Sequence, residues 1–327
     1  MDIAVVVPTY NRGDLIGETL SSIKAQSFKP AEVIVVDDGS SDDTERVVKE
    51  TDPCVKYLRI ENSGECRARN VGVDASSAAW VAFCDSDDLW LPDRLMRQVE
   101  LLREAPEIEY CFTNFRTVTE GEWSKETKFD TSPRDYWKLA RRSFGPDSFV
   151  VEEPLFGRLL IHQPIFPSTL LMGRSFFNRV GRWNEPLGRT PSVDLEFHLR
   201  CAGRGGVGVV SSPVVGIRKH RNNFSGNPLR TTIGEVAVLR YVLEHNPDAK
   251  PYAHTIEEQI VMRGAEAAGA AFSIGDFVTM RQMLGSVPRE RRSFKLRCKE
   301  FLASCPKPLR QAIQTAASSL RQSATGC

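Results

Sequence analysis

The chain has 327 residues, 41% of them hydrophobic and 26% charged, with a formal net charge of +1. That length can bury one large core or a core with an appendage, and a charge so near zero leaves no global electrostatic footprint for nucleic acid. No apolar run reaches the roughly 18 residues needed to span a bilayer. The charge is uneven, however: Ser286–Cys327 carries nine Lys/Arg against two Asp/Glu, +7, which leaves −6 for the residues before it.

In chain order, Ile3–Val7 is a β-branched run and is predicted to be a strand. Leu15, Ile16, Leu20 and Ile23 follow at helical spacing, then a second strand over Val33–Val36 and a helix over Thr44–Glu50. Val55–Ile60 is a weaker strand, Ala68–Ala75 a helix and Trp80–Cys84 a fourth strand. Arg94–Glu104 closes this half as a helix with Leu95, Val99 and Leu102 on one face. Strands alternating with helices imply a mostly parallel sheet wound by right-handed crossovers and covered on both faces.

From Glu120 to Gly157 the periodicity is lost, and long loops over the sheet edge are expected. Thr169–Met172 reads as a strand, Arg174–Val180 and Ser192–Ala202 as helices, and Val207–Val215 as a strand. Beyond Leu229 the chain turns Ala- and Glu-rich and helical. None of the eight cysteines forms a CxxC pair, so they read as reduced core residues of a cytosolic protein. The opening Met1-Asp2 followed by a strand does not read as a signal peptide.

In an open α/β sheet ligands bind beyond the carboxyl ends of the strands. Four polar clusters stand there: Pro8-Thr9-Tyr10-Asn11-Arg12, Asp37-Asp38-Gly39-Ser40-Ser41-Asp42, Asn62-Ser63-Gly64 and Asp85-Ser86-Asp87-Asp88. GxGxxG and P-loop motifs are absent, so backbone amides are not arranged in those patterns to cradle a pyrophosphate. Three carboxylates within four residues repel one another unless something positive sits among them. A divalent cation, Mg²⁺ or Mn²⁺, bridging an Asp to a diphosphate would satisfy that need.

The stretches VVVPTYNRGDLIGETLSSIKAQSF, VIVVDDGSSDDT, ENSGECRARNVGV and VAFCDSDDLWLPDRL resemble, in order and spacing, the family 2 glycosyltransferases. The resemblance covers residues 1–225, with looser matches in STLLMGRSFFNRVGRWNEPL, VDLEFHLRCAGRG and RKHRNNFS. It implies an α/β GT-A (nucleotide-diphospho-sugar transferase) fold, with a mostly parallel central sheet flanked by helices and a C-terminal helical extension. The implied organisation is a catalytic domain over 1–228, with a nucleotide-binding half (1–118) and an acceptor-binding half (119–228). A helical region with a basic tail follows over 229–327.

The implied activity is metal-dependent, inverting transfer from a nucleoside-diphosphate sugar, UDP first and dTDP second. The acceptor would be a hydroxyl of a saccharide or lipid-linked saccharide, in surface polysaccharide synthesis in the cytoplasm. By the same resemblance Pro8, Thr9, Tyr10, Arg12, Gly64 and Arg69 line the nucleotide, and Asp38 reads its pyrimidine imide. Asp85 holds the ribose or supports the metal, Asp87 is the direct metal ligand, and His220 is an additional one; an imidazole suits Mn²⁺ better than Mg²⁺. Asp194 is the implied base. The residue before it is Val193, where the family often has Glu, and Glu196 is the nearest substitute. Trp90, Trp183, Tyr136 and Trp137 are aromatic platforms on which a sugar could stack.

The basic, hydrophobe-studded tail, PRERRSFKLRCKEFLASCPKPLRQAI, suggests peripheral contact with an anionic membrane at its inner face. Two rivals stand beside the transferase reading. One is a catalytically impaired member acting as a nucleotide-binding or scaffold subunit, which Val193 leaves open. The other is a nucleotidyltransferase, but PTYNRGD lacks the Gly- and Arg/Lys-rich loop such enzymes carry after the first strand.

Overall fold

The computed structural model describes residues 1–204, 206–221, 223 and 226–306. Its first half follows the predicted alternation: β1 (Ile3–Thr9), α1 (Ile16–Lys24), β2 (Glu32–Asp37), α2 (Thr44–Thr51), β3 (Lys56–Arg59), α3 (Glu65–Asp74), β4 (Trp80–Phe83), β5 (Leu89–Trp90) and α4 (Arg94–Glu104). All seven residues of β1 are buried. Its side chains alternate between faces: Ile3, Val5 and Val7 join the core under α1 and α4, and Val6 joins the core under α3. A strand buried on both sides can be apolar throughout, which is why the run is continuous.

The second half contains β6 (Tyr110–Thr119), β7 (Glu122–Thr127), β8 (Arg141–Phe144), β9 (Ser148–Val151), α5 (Phe156–Ile161), β10 (Leu170–Gly173), α6 (Arg174–Val180), α7 (Val193–Ala202) and β11 (Val207–Lys219). Among the described residues the strands form one mixed sheet in the order β3-β2-β1-β4-β10-β6-β11-β9-β8. Strands β3, β2, β1 and β4 are mutually parallel, as the alternation requires. Beyond them β10 runs antiparallel to both β4 and β6. The Glu120–Gly157 stretch is not loop alone: it carries β7, β8 and β9. Strands such as EWSKET and RRSF lie exposed at the edge and have no apolar alternation to betray them.

β11 pairs in parallel with β6, but the register shifts on either side of Pro213, which has no N–H to give to a ladder. Past that irregularity β11 accepts β5 as an antiparallel neighbour, Val215 opposite Trp90 and Gly216 opposite Leu89. This pairing carries the residues just before β5, Asp87 and Asp88, to the end of β11.

The helices from Pro228 onward are α8 (Pro228–His245), α9 (Ala253–Ser273), α10 (Phe277–Leu284) and α11 (Phe294–Ser304). α8 and α9 cover the sheet core through Val238, Leu239, Val242 and Ile256. Ala267, Ala268 and Ala271 of α9 meet Met280, Met283 and Leu284 of α10 in a separate small core. α8 presses directly on the loop before α7. A Cβ at Gly234 would lie 2.3 Å from the Pro191 carbonyl oxygen, and that backbone leads within three residues to Asp194. Gly234→Ala is therefore expected to lower stability by about 1–3 kcal/mol through overpacking, despite the roughly 1 kcal/mol gain in helix propensity. Thermal unfolding measures the net sign.

Candidate active site

The carboxyl ends of β1, β2 and β3 lie level, with Thr9 opposite Asp37 and Asp37 opposite Arg59. The loops that follow are tied together. Asn11, in the left-handed region at φ 49°, donates its N–H to Ser40 Oγ and accepts from Ser41 N–H. Asp37 is a structural residue: it accepts from Ser40 N–H and from the Tyr57 hydroxyl. Asp38 is 5% exposed and accepts from the N–H groups of Ser63 (2.7 Å) and Gly64 (2.8 Å). Gly64 sits at φ 94°, and a Cβ there would touch the Gly188 carbonyl at 3.0 Å, so glycine alone suits the position. Pro8 is buried, Thr9 is buried with a hydroxyl that has no hydrogen-bond partner, and Tyr10 is exposed.

Each member of the acidic cluster has its own partner. Asp85 accepts from Arg69 Nη2 at 2.8 Å. Asp87 Oδ2 lies 3.0 Å from His220 Nε2 and 3.5 Å from Arg12 Nε. Asp88 is buried and accepts from Ser168 Oγ and from Arg218 N–H, and burial, with Asp87 and Asp85, pushes its carboxyl well above the usual carboxylate range. The Arg218 side chain reaches across to the Asp87 carbonyl, Glu18, Leu15 and Thr19, which pins the loop to α1. The positive charge that the sequence calls for therefore comes in large part from the protein, because Arg12 and Arg69 stand against Asp87 and Asp85.

Arg69, expected against the nucleotide, is instead 1% exposed and lies beneath the site. Its guanidinium pairs with Asp85 and Glu65 and packs 4.7 Å from the Trp183 ring. Burial opposes its charge, and the two carboxylates outweigh that, keeping it protonated. Glu65 is raised by burial despite Arg69, with Asp85 and Asp87 adding to the rise. Trp183 and Trp90, considered as sugar platforms, are core residues: 1% and 3% exposed, with Trp183 stacked on Phe197 at 4.0 Å. Tyr136 is buried too, and Trp137 packs on Phe129. A large aromatic surface gains more from the core than from water.

Asp194 stands in the first turn of α7, half-buried. Its carboxyl is pushed up to about 7 by burial and by Glu65 and Asp85, with Arg69 opposing. It accepts a hydrogen bond from Gln163 Nε2 at 3.0 Å. Val193 points into the core at 2% exposure, so the departure from the family pattern is an apolar packing residue. Glu196 does not substitute for Asp194, because it is buried and fully engaged by Arg200 at 2.7 and 2.9 Å.

A family model described as glycosyl transferase family 2 matches residues 4–159, the stretch that holds Asp38, Arg69, Asp85 and Asp87. This stretch, a little under half of the chain, is similar to that family. The chain is 37% identical over 129 residues to the GalNAc(5)-diNAcBac-PP-undecaprenol beta-1,3-glucosyltransferase of Campylobacter jejuni, 38% of this chain and 41% of that one. It is 42% identical over 101 residues to the succinoglycan biosynthesis protein ExoO of Rhizobium meliloti, 30% of this chain and 29% of that one. These matches thus span under half the length of either curated relative. The crystal structure of S. aureus TarS 1-349 in complex with UDP-GlcNAc matches with a TM-score of 0.61 at 20% identity, covering 89% of this chain and 82% of that one. The fold is accordingly GT-A.

Glu65, Gln163 and Arg218 are the site residues that sequence reasoning missed. Glu65 and Arg69 are four apart on a helix, a spacing that signals a pair. Nothing local marks Gln163 or Arg218, whose partners lie 31 and 130 residues away.

Proposed function

We propose that the chain is a metal-dependent, inverting glycosyltransferase that uses a nucleoside-diphosphate sugar, UDP first and dTDP second. The acceptor would be a saccharide or lipid-linked saccharide hydroxyl in surface polysaccharide assembly. The observation that carries this is the meeting of Asp87 and His220 at the sheet edge, within the same charged cluster as a half-buried Asp194. A carboxylate oxygen beside an imidazole nitrogen is a donor set suited to Mn²⁺ and, less well, to Mg²⁺. Among the described residues no three His, Cys, Asp or Glu side chains converge on one point, so a bound ion would draw further ligands from the diphosphate and water. When bound there, the ion would supply charge stabilisation for the diphosphate leaving group.

The chain's own residues do the rest. Asp38 presents an acceptor to the base of the nucleotide, and Asp85, fixed by Arg69, presents one to the ribose. Asp194 takes the acceptor hydroxyl proton as that oxygen attacks the anomeric carbon from the face opposite the diphosphate. The test is a thermal-shift screen of nucleotide sugars with and without Mn²⁺, followed by measurement of UDP release. A Mn²⁺-dependent rise in melting temperature with UDP-sugars, and slow UDP release, are expected. Binding without any turnover in the presence of acceptors would favour the scaffold reading.

The peripheral membrane contact is part of the same reading. The basic tail continues past Pro306, outside the described residues, but its first helix is visible. In α11, Phe294 is 83% and Phe301 66% exposed, seven residues apart on one face, with exposed Lys295 and Arg297 beside them. Apolar side chains flanked by basic ones suit an anionic lipid surface. No helix among the described residues is long and apolar enough to cross a membrane. The full chain should float with phosphatidylglycerol liposomes, and a Phe294→Ser/Phe301→Ser variant should lose most of that binding; equal flotation of both would remove the idea.

A further inference from the structure

Gln163 lies in the segment between α5 and β10, half-buried, with its side-chain amide between two groups of α7. Nε2 is 3.0 Å from Asp194 Oδ2 and 3.2 Å from His198 Nδ1, one helical turn further on. The same nitrogen is 3.4 Å from the Ile165 carbonyl. An ionised carboxylate only accepts, so it selects the amide nitrogen, not the oxygen, on that side. His198 is 1% exposed, and burial pushes it down to about 3, so its ring is neutral; in the tautomer that carries its hydrogen on Nε2, Nδ1 accepts the second amide hydrogen. The two hydrogens of one amide group thus face three acceptors, the nearer two on α7 and the third the Ile165 carbonyl.

We infer that Gln163 is a positioning residue for the proposed transfer: it anchors Oδ2 of Asp194, with His198 bracing it from behind, and leaves Oδ1 to receive the acceptor's proton. This rests on the reading of Asp194 as base. A hydrogen bond donated to the charged form favours that form, so Gln163 also keeps Asp194 more acidic than its surroundings would. Those surroundings are unfavourable: burial, with Glu65 on α3 and Asp85 in the β4–β5 loop, acts against ionisation, and Arg69 and a backbone N–H act for it. Without Gln163 the carboxyl gains rotational freedom and protonates more readily.

The test is NMR titration of full-length protein labelled at the aspartate side-chain carboxyl carbon, with the Asp194 signal identified by its loss in Asp194→Asn. In Gln163→Leu the Asp194 midpoint should rise by about one pH unit. Turnover with UDP-GlcNAc should fall about tenfold at neutral pH with KM for the donor unchanged. Gln163→Asn, whose amide is one methylene shorter and cannot span both acceptors, keeps the test open if the Leu variant does not fold; it should shift the midpoint in the same direction. A midpoint within 0.2 units of the wild type in the folded variant would overturn the inference. Because the titration needs no turnover, it is separate from the base assignment, which fails instead if Asp194→Asn retains full transfer.

Discussion

Asp194→Asn is expected to cut glycosyl transfer by about 10²–10⁴-fold, the usual contribution of a positioned general base, while donor affinity stays within about twofold. The isosteric amide fills the same space and can still meet Gln163, but it cannot take a proton. In the wild type a carboxyl pushed up to about 7 by burial, Glu65 and Asp85 must be ionised to act. So log(kcat/KM) should climb with unit slope below about pH 7 and level off above it, and that limb should vanish from the variant's residual activity. Steady-state kinetics across pH 5–9, with donor binding by calorimetry, measure both.

The same substitution carries a stability prediction of opposite sign. The native midpoint, about 7, is above the ordinary 3.8, so folding favours the protonated form. The stabilisation from this group is fully present below about pH 3.8 and is lost as pH rises through 7. Above that the half-buried carboxylate is a cost, and Asn removes it. Asp194→Asn should therefore melt higher than the wild type at pH 8, by roughly 1–3 kcal/mol, and the difference should shrink towards pH 4. A carboxylate held where its charge is unwelcome destabilises its own fold, a cost that a role as base would explain.

Asp87→Ala is expected to weaken UDP-sugar binding in Mn²⁺ by about 100-fold or more, judged against the 10–100-fold that mere supporting residues of metal sites cost. Binding in EDTA should change little, because the substitution removes the residue proposed to join ion and diphosphate. His220→Ala should show the same pattern with a smaller loss, about tenfold. Folding should survive both, since the Asp87 and His220 side chains, 16% and 22% exposed, stand at the solvent-accessible edge of the sheet and not in its apolar core. Isothermal titration with UDP-GlcNAc and UDP-glucose measures the effect. If Asp87→Ala binds donor normally in Mn²⁺, the acidic cluster is not where the nucleotide sugar is held.

What the amino-acid sequence determined alone is the framework and the place of the site. Strands with continuous apolar runs, such as IAVVV, fit only a sheet covered on both faces, and the polar residues that stop them can only gather at its carboxyl edge. The positions of Asp38, Asp85 and Asp87 at strand ends follow from that. The exposed strands β7 and β8 did not follow, because a solvated edge strand carries no hydrophobic period. Only the tertiary structure decided which charge answers which. Arg69 could have faced the nucleotide or the interior, and its burial under Asp85 depends on Trp183, more than a hundred residues on. Asp88 is anchored by Arg218, and Asp87 meets His220, because β11 breaks register at Pro213 and takes β5 as a partner. Gln163 reaches Asp194 through the packing of α7. Such pairings depend on distances of a few ångströms between segments far apart in the chain, and local periodicity carries no information about them.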